Sequence, residues 1–351
     1  MRKILPAVLC TALAVSMLAG CGNTNSGAEA TTKTEATTKT EVTTSAEGTD
    51  ATASAGKTEK GEESQSVEDS YTVNGDEMTI VHSKGTSVVP MNPKKAVVFD
   101  LGILDIIDAL DIDTEVAVPT ENLTSYLDQY ATATNAGGIK QPDIEGIYEF
   151  KPDVIFISGR QSDYYEELNK IAPTVYIDQE AANYMGDFER NVKMIAELFG
   201  KQDEATEKLK EIEALVKEGQ EKAEKSGKNA LVILTNDGSL SAYGKGSRFG
   251  IVHDVLGVKA ADDTIEVSTH GQEASFEYIS KVNPDILFVI DRTAVVGGEV
   301  KASDTLDNDL VKGTNAGKNN EIIYLEPDTW YLGGAGLTSV KEMIQEVVNA
   351  L

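Results

Sequence analysis

Three regimes of apolar spacing divide the chain. Apolar residues run almost unbroken over residues 4–18, nearly vanish over 22–70, and beyond Met78 alternate between short solid runs and helical stripes. The solid runs read as strands covered on both faces, which keep no polar alternation. They occupy residues 96–99, 116–118, 154–158 and 175–177 in one half, and 230–234, 286–290 and 322–325 in the other. Helical spacing fills 101–110, 162–171, 249–256 and 337–348, while 78–82 and 86–89 flank Ser83-Lys84-Gly85 as a hairpin. Such alternation predicts an α/β fold of two similar three-layer lobes with parallel sheets.

Between the halves, residues 202–225 place Ala205, Leu209, Ile212, Val216, Gly219 and Ala223 on one narrow stripe. Glu204/Lys208, Glu213/Lys217, Glu218/Lys222 and Glu221/Lys225 add i,i+4 pairs in the favourable order. The stripe predicts a single stiff helix roughly 35 Å long at 1.5 Å per residue. The halves also repeat each other. Glu145 to Arg160 aligns with Glu277 to Arg292 at an offset of 132 residues, with six of sixteen positions identical. Pro-Asp before a buried strand is common punctuation, but the matched Glu and Arg are not explained that way.

Composition sharpens the picture. The 351 residues carry 31 Lys plus Arg against 58 Asp plus Glu, a net charge of −27. Such a surface repels phosphate backbones, so nucleic acid is excluded as a partner, as is a basic hold on anionic lipid. The two cysteines are Cys10 and Cys21, so the body has no thiol for a disulfide, cluster or nucleophile. The three histidines, His82, His253 and His270, show no helical ligand spacing.

Arg2 and Lys3 ahead of the first apolar run give a secretory leader too short to span a membrane comfortably. It ends Leu18-Ala19-Gly20-Cys21, which resembles the lipobox of bacterial lipoproteins and implies lipid on Cys21. The Thr/Glu-rich stretch that follows repeats Thr-Thr-Lys-Thr-Glu at Thr31 and Thr37. It buries too little to order itself, which predicts a disordered tether with a reach of roughly 35–45 Å. The expected organisation is a leader (1–20), lipidated Cys plus tether (21–70), first lobe (71–200), connecting helix (201–227) and second lobe (228–351).

Lipobox, tether, paired lobes and joining helix together resemble the helical-backbone solute-binding lipoproteins of iron–siderophore and vitamin B12 ABC importers, over about residues 71–351. Local patterns carry the likeness: Val88-Val-Pro90-Met-Asn92-Pro93-Lys-Lys-Ala96-Val-Val-Phe99-Asp100, the two Glu…Pro-Asp units, and Gly246-Ser247-Arg248-Phe249-Gly250 with Leu256-Gly257. The ending Trp330-Tyr331-Leu332-Gly333-Gly334-Ala335-Gly336-Leu337 is similar to that of receptors for ferric catecholates of the petrobactin type. The resemblance implies a monomeric, extracytoplasmic receptor on the outer face of the cell membrane, serving a permease dimer with its ATPase. It implies no cofactor and no metal held by the protein itself, since the siderophore holds the iron.

Ligands of open α/β sheets bind beyond the carboxyl ends of the strands. Arg160 and Arg292 each follow a Pro-Asp strand and Arg248 follows another strand and loop, so three guanidinium groups are expected in the cleft. They suit a trianionic ferric tris-catecholate, by stacking and by charge-assisted bonds. A loop salt bridge is the ordinary alternative for any one of them. Trp330 and Tyr331 are expected at the ligand, with a core-filling role as the alternative for Trp330. Tyr164, Tyr184, Tyr243 and His270 are weaker candidates. Glu145 and Glu277 fall in first helical turns, where a carboxylate suits the helix dipole; the resemblance implies that they dock on arginines of the permease.

Gly238 to Lys245 departs from a phosphate-binding loop, with five residues rather than four before Gly-Lys and Gly246 in place of Ser or Thr. Other importer ligands, cobalamin, haem or a bare metal ion, remain open. So does a surface-anchored α/β enzyme, in which Asp100 or Asp291 at a strand end would be the catalytic candidates.

Overall fold

All seven strands expected from the solid apolar runs are present in the computed structural model, which describes residues 70–268 and 270–351. The leader, Cys21 and the tether before Ser70 lie outside the described residues. In the first sheet, Thr174–Tyr176, Val154–Ile157, Lys95–Val98, Glu115–Val118 and Thr134–Asn135 lie side by side in that order, every pairing parallel. In the second, Asn229–Asn236, Ile286–Asp291 and Ile322–Leu325 are parallel neighbours. The free side of Asn229–Asn236 then takes two antiparallel strands, Ser239–Tyr243 and Gln272–Ala274. The fold there reverses through Asp237-Gly238, both at positive φ (48° and 86°), the two-residue hairpin turn that Asp-Gly favours. Ahead of both sheets, Tyr71–Asn74, Glu77–His82 and Gly85–Pro90 form an antiparallel meander.

Strand periodicity sorts the core into layers. Val97, Phe99 and Ile155 face outward onto Ile147 and Phe150, while Leu231, Ile233 and Leu287 face outward onto Ile279. The opposite faces of both sheets share one continuous apolar core with the helices Leu101–Ala109, Tyr184–Phe199, Gln202–Ser226 and Leu337–Ala350. The lobes are therefore joined by packing as well as by chain.

The long helix Gln202–Ser226 buries Ala205, Ile212, Gly219 and Ala223, the expected stripe at its narrowest. Gly219 is small for a reason: a Cβ there would lie 2.8 Å from Leu256 Cδ2 and 3.1 Å from Val348 Cγ2. Two of the expected surface pairs close, Glu218–Lys222 at 3.2 Å and Glu221–Lys225 at 3.7 Å, whereas Glu204 turns back to Lys201 at 3.6 Å. The final helix, Leu337–Ala350, does not stay with the second lobe. It packs on both Leu101–Ala109 and Gln202–Ser226. Fully buried Asp105, from the first lobe, accepts from Thr338 N at 2.9 Å and from Ser339 N and Oγ at 2.8 Å each, closing that helix's N-terminus. A Cβ at Gly336 would sit 2.3 Å from Asp105 Oδ2, so only glycine fits there.

The repeat has a physical basis. Ile144–Phe150 and Phe276–Val282 are capped by Asp143 and Ser275, and end in left-handed residues Lys151 (φ 56°) and Asn283 (φ 52°). Asp153 then accepts from the backbone of Lys94 and Lys95, and Asp285 from that of Asn229, so each Pro-Asp ties its strand to the start of the parallel strand beside it.

Candidate functional site

The carboxyl edge of each sheet is where the chain leaves the strands and side chains have room to converge. Arg160 lies in the turn after Val154–Ile157, and Arg292 directly follows Ile286–Asp291. Arg248 lies in a loop after Ser239–Tyr243, folded by Ser247 Oγ donating to Gly244 O and Gly246 N donating to Asp254 Oδ2, both at 2.6 Å.

All three guanidinium groups meet at one residue, Tyr331. Arg160 Nη2 and Arg248 Nη2 donate to its carbonyl oxygen at 3.0 and 2.9 Å, and Arg292 Nε donates to its hydroxyl at 2.6 Å. Arg160 also reaches Leu332 O at 3.5 Å, and Arg292 Nη1 donates to Asn236 Oδ1. Arg248 and Arg292 lie over the Tyr331 ring, 4.9 and 5.3 Å from its centroid, and Arg248 also covers Phe249 at 4.9 Å. One arginine thus comes from the first lobe and two from the second.

Among the described residues no carboxylate pairs with them. Of the described arginines only Arg190 forms an ion pair, with Asp187 at 2.6 Å. Among so many acidic residues, three cations share a half-buried space with only neutral oxygens as partners. Burial, then the charge of Arg160, pushes the Arg248 pKa down. Burial alone would raise the Tyr331 hydroxyl. The bond from Arg292 and the charges of Arg292, Arg248 and Arg160 outweigh it and hold that hydroxyl below the usual tyrosine range.

Trp330 packs into the core at the edge of this site. It is 2% exposed, packs on Phe249 with ring centroids 6.2 Å apart, and donates its indole N–H to Glu346 Oε2 at 2.5 Å. Tyr331, next in the chain, is half-buried and carries the ring that Arg248 and Arg292 cover. Tyr243 is likewise buried, edge-on to Phe249, and His270 is exposed on its loop. The Gly-rich turn after Tyr331 is shaped by its neighbours: Gly334 takes φ 87°, and its carbonyl accepts from the Tyr184 hydroxyl.

Two residues beside the arginines were not singled out by sequence. Asn236 ends a strand and holds Arg292; Gln179 follows Thr174–Tyr176 and lines a cavity of about 230 Å³ with Tyr184, Arg248, Trp330 and Met343. Both obey the strand-end rule that pointed to the arginines.

Glu145 and Glu277 are exposed in the first turns of their matched helices, without ion pairs among the described residues. A backbone N–H and the Ser275 hydroxyl hold Glu277 below the usual carboxylate range. Each helix returns to its strand through a tight turn and so runs antiparallel to it. The two glutamates therefore stand at the same edge of their sheets as the arginines.

A model of the periplasmic binding protein family matches residues 97–329. The petrobactin-binding protein YclQ of Bacillus subtilis is 45% identical over 284 residues, 79% of this chain and 89% of its own length. Its crystal structure superposes with a TM-score of 0.76 at 44% identity, covering 78% of this chain and 98% of that one. The ferric-anguibactin-binding protein FatB of Vibrio anguillarum is 37% identical over 78% of this chain and 87% of its own. The periplasmic catecholate-siderophore binding protein VctP of Vibrio cholerae gives a TM-score of 0.72 at 33% identity, covering 77% and 99%.

Proposed function

The chain belongs to the periplasmic binding protein family, and on that footing we propose that it is the extracytoplasmic receptor of an ABC importer that captures a ferric siderophore of catecholate type. The three arginines around Tyr331, contributed by both lobes and unopposed by carboxylate, carry the reading. A ferric tris-catecholate presents three negative charges, flat faces and six acceptor oxygens. Exchanging neutral oxygens for those of the catecholates would set an ionised acceptor against each ionised guanidinium donor. Each Arg–oxygen pair at about 4 Å is worth about 4 kcal/mol at an effective dielectric near 20, before desolvation. Cobalamin offers no comparable charge. The relatives named for petrobactin, anguibactin and catecholate binding support the same class of ligand. They are binding proteins, and no chemistry on the ligand is part of this function.

Lipid on Cys21 and the tether would leash the receptor to the outer face of the membrane, as a monomer. Glu145 and Glu277 would engage basic residues on the two halves of a permease driven by its ATPase. Their shared edge with the arginines supports this role, because a receptor docked there presents its cleft to the channel.

Titration of the full chain, followed through Trp330 beside the site, tests the ligand. Saturable quenching by ferric catecholate, weakened at least tenfold in Arg160→Ala and Arg292→Ala, is the expected result. Tight cobalamin or haem binding with no response to catecholate would overturn it. Glu145→Ala and Glu277→Ala should leave that titration unchanged while abolishing receptor-stimulated ATPase activity of the reconstituted importer. Unaltered stimulation in the double variant would remove the docking role.

A further inference from the structure

We infer that the two docking helices are unequal: Tyr148, beside Glu145 on the first-lobe helix Ile144–Phe150, is an anchor that enters an apolar recess in a basic surface of the permease, so the first lobe carries most of the docking affinity. The inference rests on the docking role of Glu145 and Glu277 and adds to it a contact residue and a ranking of the lobes.

The 132-residue repeat sets Tyr148 against Ser280 and Glu149 against Lys281. On Ile144–Phe150, Ile147 and Phe150 are buried toward the sheet. Residues three and four apart are neighbours on a helix surface, so Tyr148 and Glu149 flank Glu145 on the outward side. Tyr148 is 68% exposed, and among the described aromatic rings only Tyr324 is exposed as well. A lone apolar side chain on a surface is ordinary. This one stands a single turn from a glutamate at the docking edge, and neither Glu145 nor Glu149 forms an ion pair among the described residues.

Phe276–Val282 offers a partner less. Its tyrosine, Tyr278, is half-buried and donates its hydroxyl to Asp262 Oδ2 at 2.9 Å. The Ser275 hydroxyl already holds Glu277, and exposed Lys281 stands four residues on. Glu145 with Glu149 carries a charge of −2, whereas Glu277 with Lys281 carries none. Basic groups on the permease therefore steer the first helix into place and repel Lys281 on the second. An aromatic ring shut off from water beside such charges is the kind of side chain that dominates a protein interface.

The test measures the affinity of the full chain, without siderophore, for the importer reconstituted in nanodiscs. Tyr148→Ala should weaken binding at least tenfold, while Tyr148→Phe and Ser280→Ala each change it less than twofold. The melting temperature of Tyr148→Ala should match wild type, since the exposed ring holds up no part of the fold. A Tyr148→Ala chain that binds as wild type does overturns the anchor. Equal losses in Tyr148→Ala and Ser280→Ala overturn the ranking of the lobes. If the double variant Glu145→Ala, Glu277→Ala binds with unchanged affinity, the docking edge itself is wrong and this inference falls with it.

Discussion

Tyr331 is surrounded by cations on three sides, and its hydroxyl reports them. With Arg292 Nε bonded to it at 2.6 Å, the phenolate is favoured more than burial disfavours it. Ultraviolet difference titration should find one tyrosine ionising below the ordinary range near 10. Arg292→Ala removes both a donor and the nearest positive charge, so the same transition should move to higher pH; an unmoved transition would assign it to another residue. At this scale the sequence was informative about position and poor about orientation. The arginines were legible because strand ends dictate where the following side chains go. Trp330 and Tyr331 are adjacent aromatics before one turn, and nothing local says which faces the cleft. The carboxylate of Glu346, sixteen residues on, draws the indole inward and leaves Tyr331 to the arginines. Gln179 escaped notice because an amide carries no charge to make it conspicuous in a loop.

Among the elements, the last helix depends most on a single distant side chain. Asp105→Ala would leave the buried amides of Thr338 and Ser339 without an acceptor, at a cost of about 2–4 kcal/mol in denaturant-melt stability. Loss of less than about 0.5 kcal/mol would show that the cap is replaceable. Burial pushes the Asp105 pKa up despite those bonds. The folded state therefore retains a proton that the unfolded chain releases, and this carboxyl's contribution to stability declines as pH rises from the ordinary aspartate range to its raised value. Buried strands were readable as solid apolar runs, and the long helix from its stripe. Ser239–Tyr243 and Gln272–Ala274 were not, since edge strands mix polar with apolar residues. The amphipathic stripe of Leu337–Ala350 revealed a buried face without naming its partners, so its double allegiance to both lobes was invisible.

For the molecule as a whole, the net charge of −27 and the arginine cluster act on an anionic ligand with opposite signs over different ranges. At 0.01 M salt, with a Debye length of about 30 Å, the whole acidic surface repels the ligand; at 0.15 M, about 8 Å, mainly the nearby arginines are felt. Stopped-flow association of ferric catecholate should accelerate between those two conditions and slow again toward 1 M. A rate that only falls with salt would mean that the acidic surface exerts no long-range effect. The bond from Asp105 to Ser339 spans 234 residues, and it has a further consequence for how the molecule is made. A ribosome that has delivered both sheets but not Leu337–Ala350 has delivered a chain whose shared core is still open. Closure of that core therefore waits on contacts between residues 234 apart in the chain, a high-contact-order step that the docking of this helix completes.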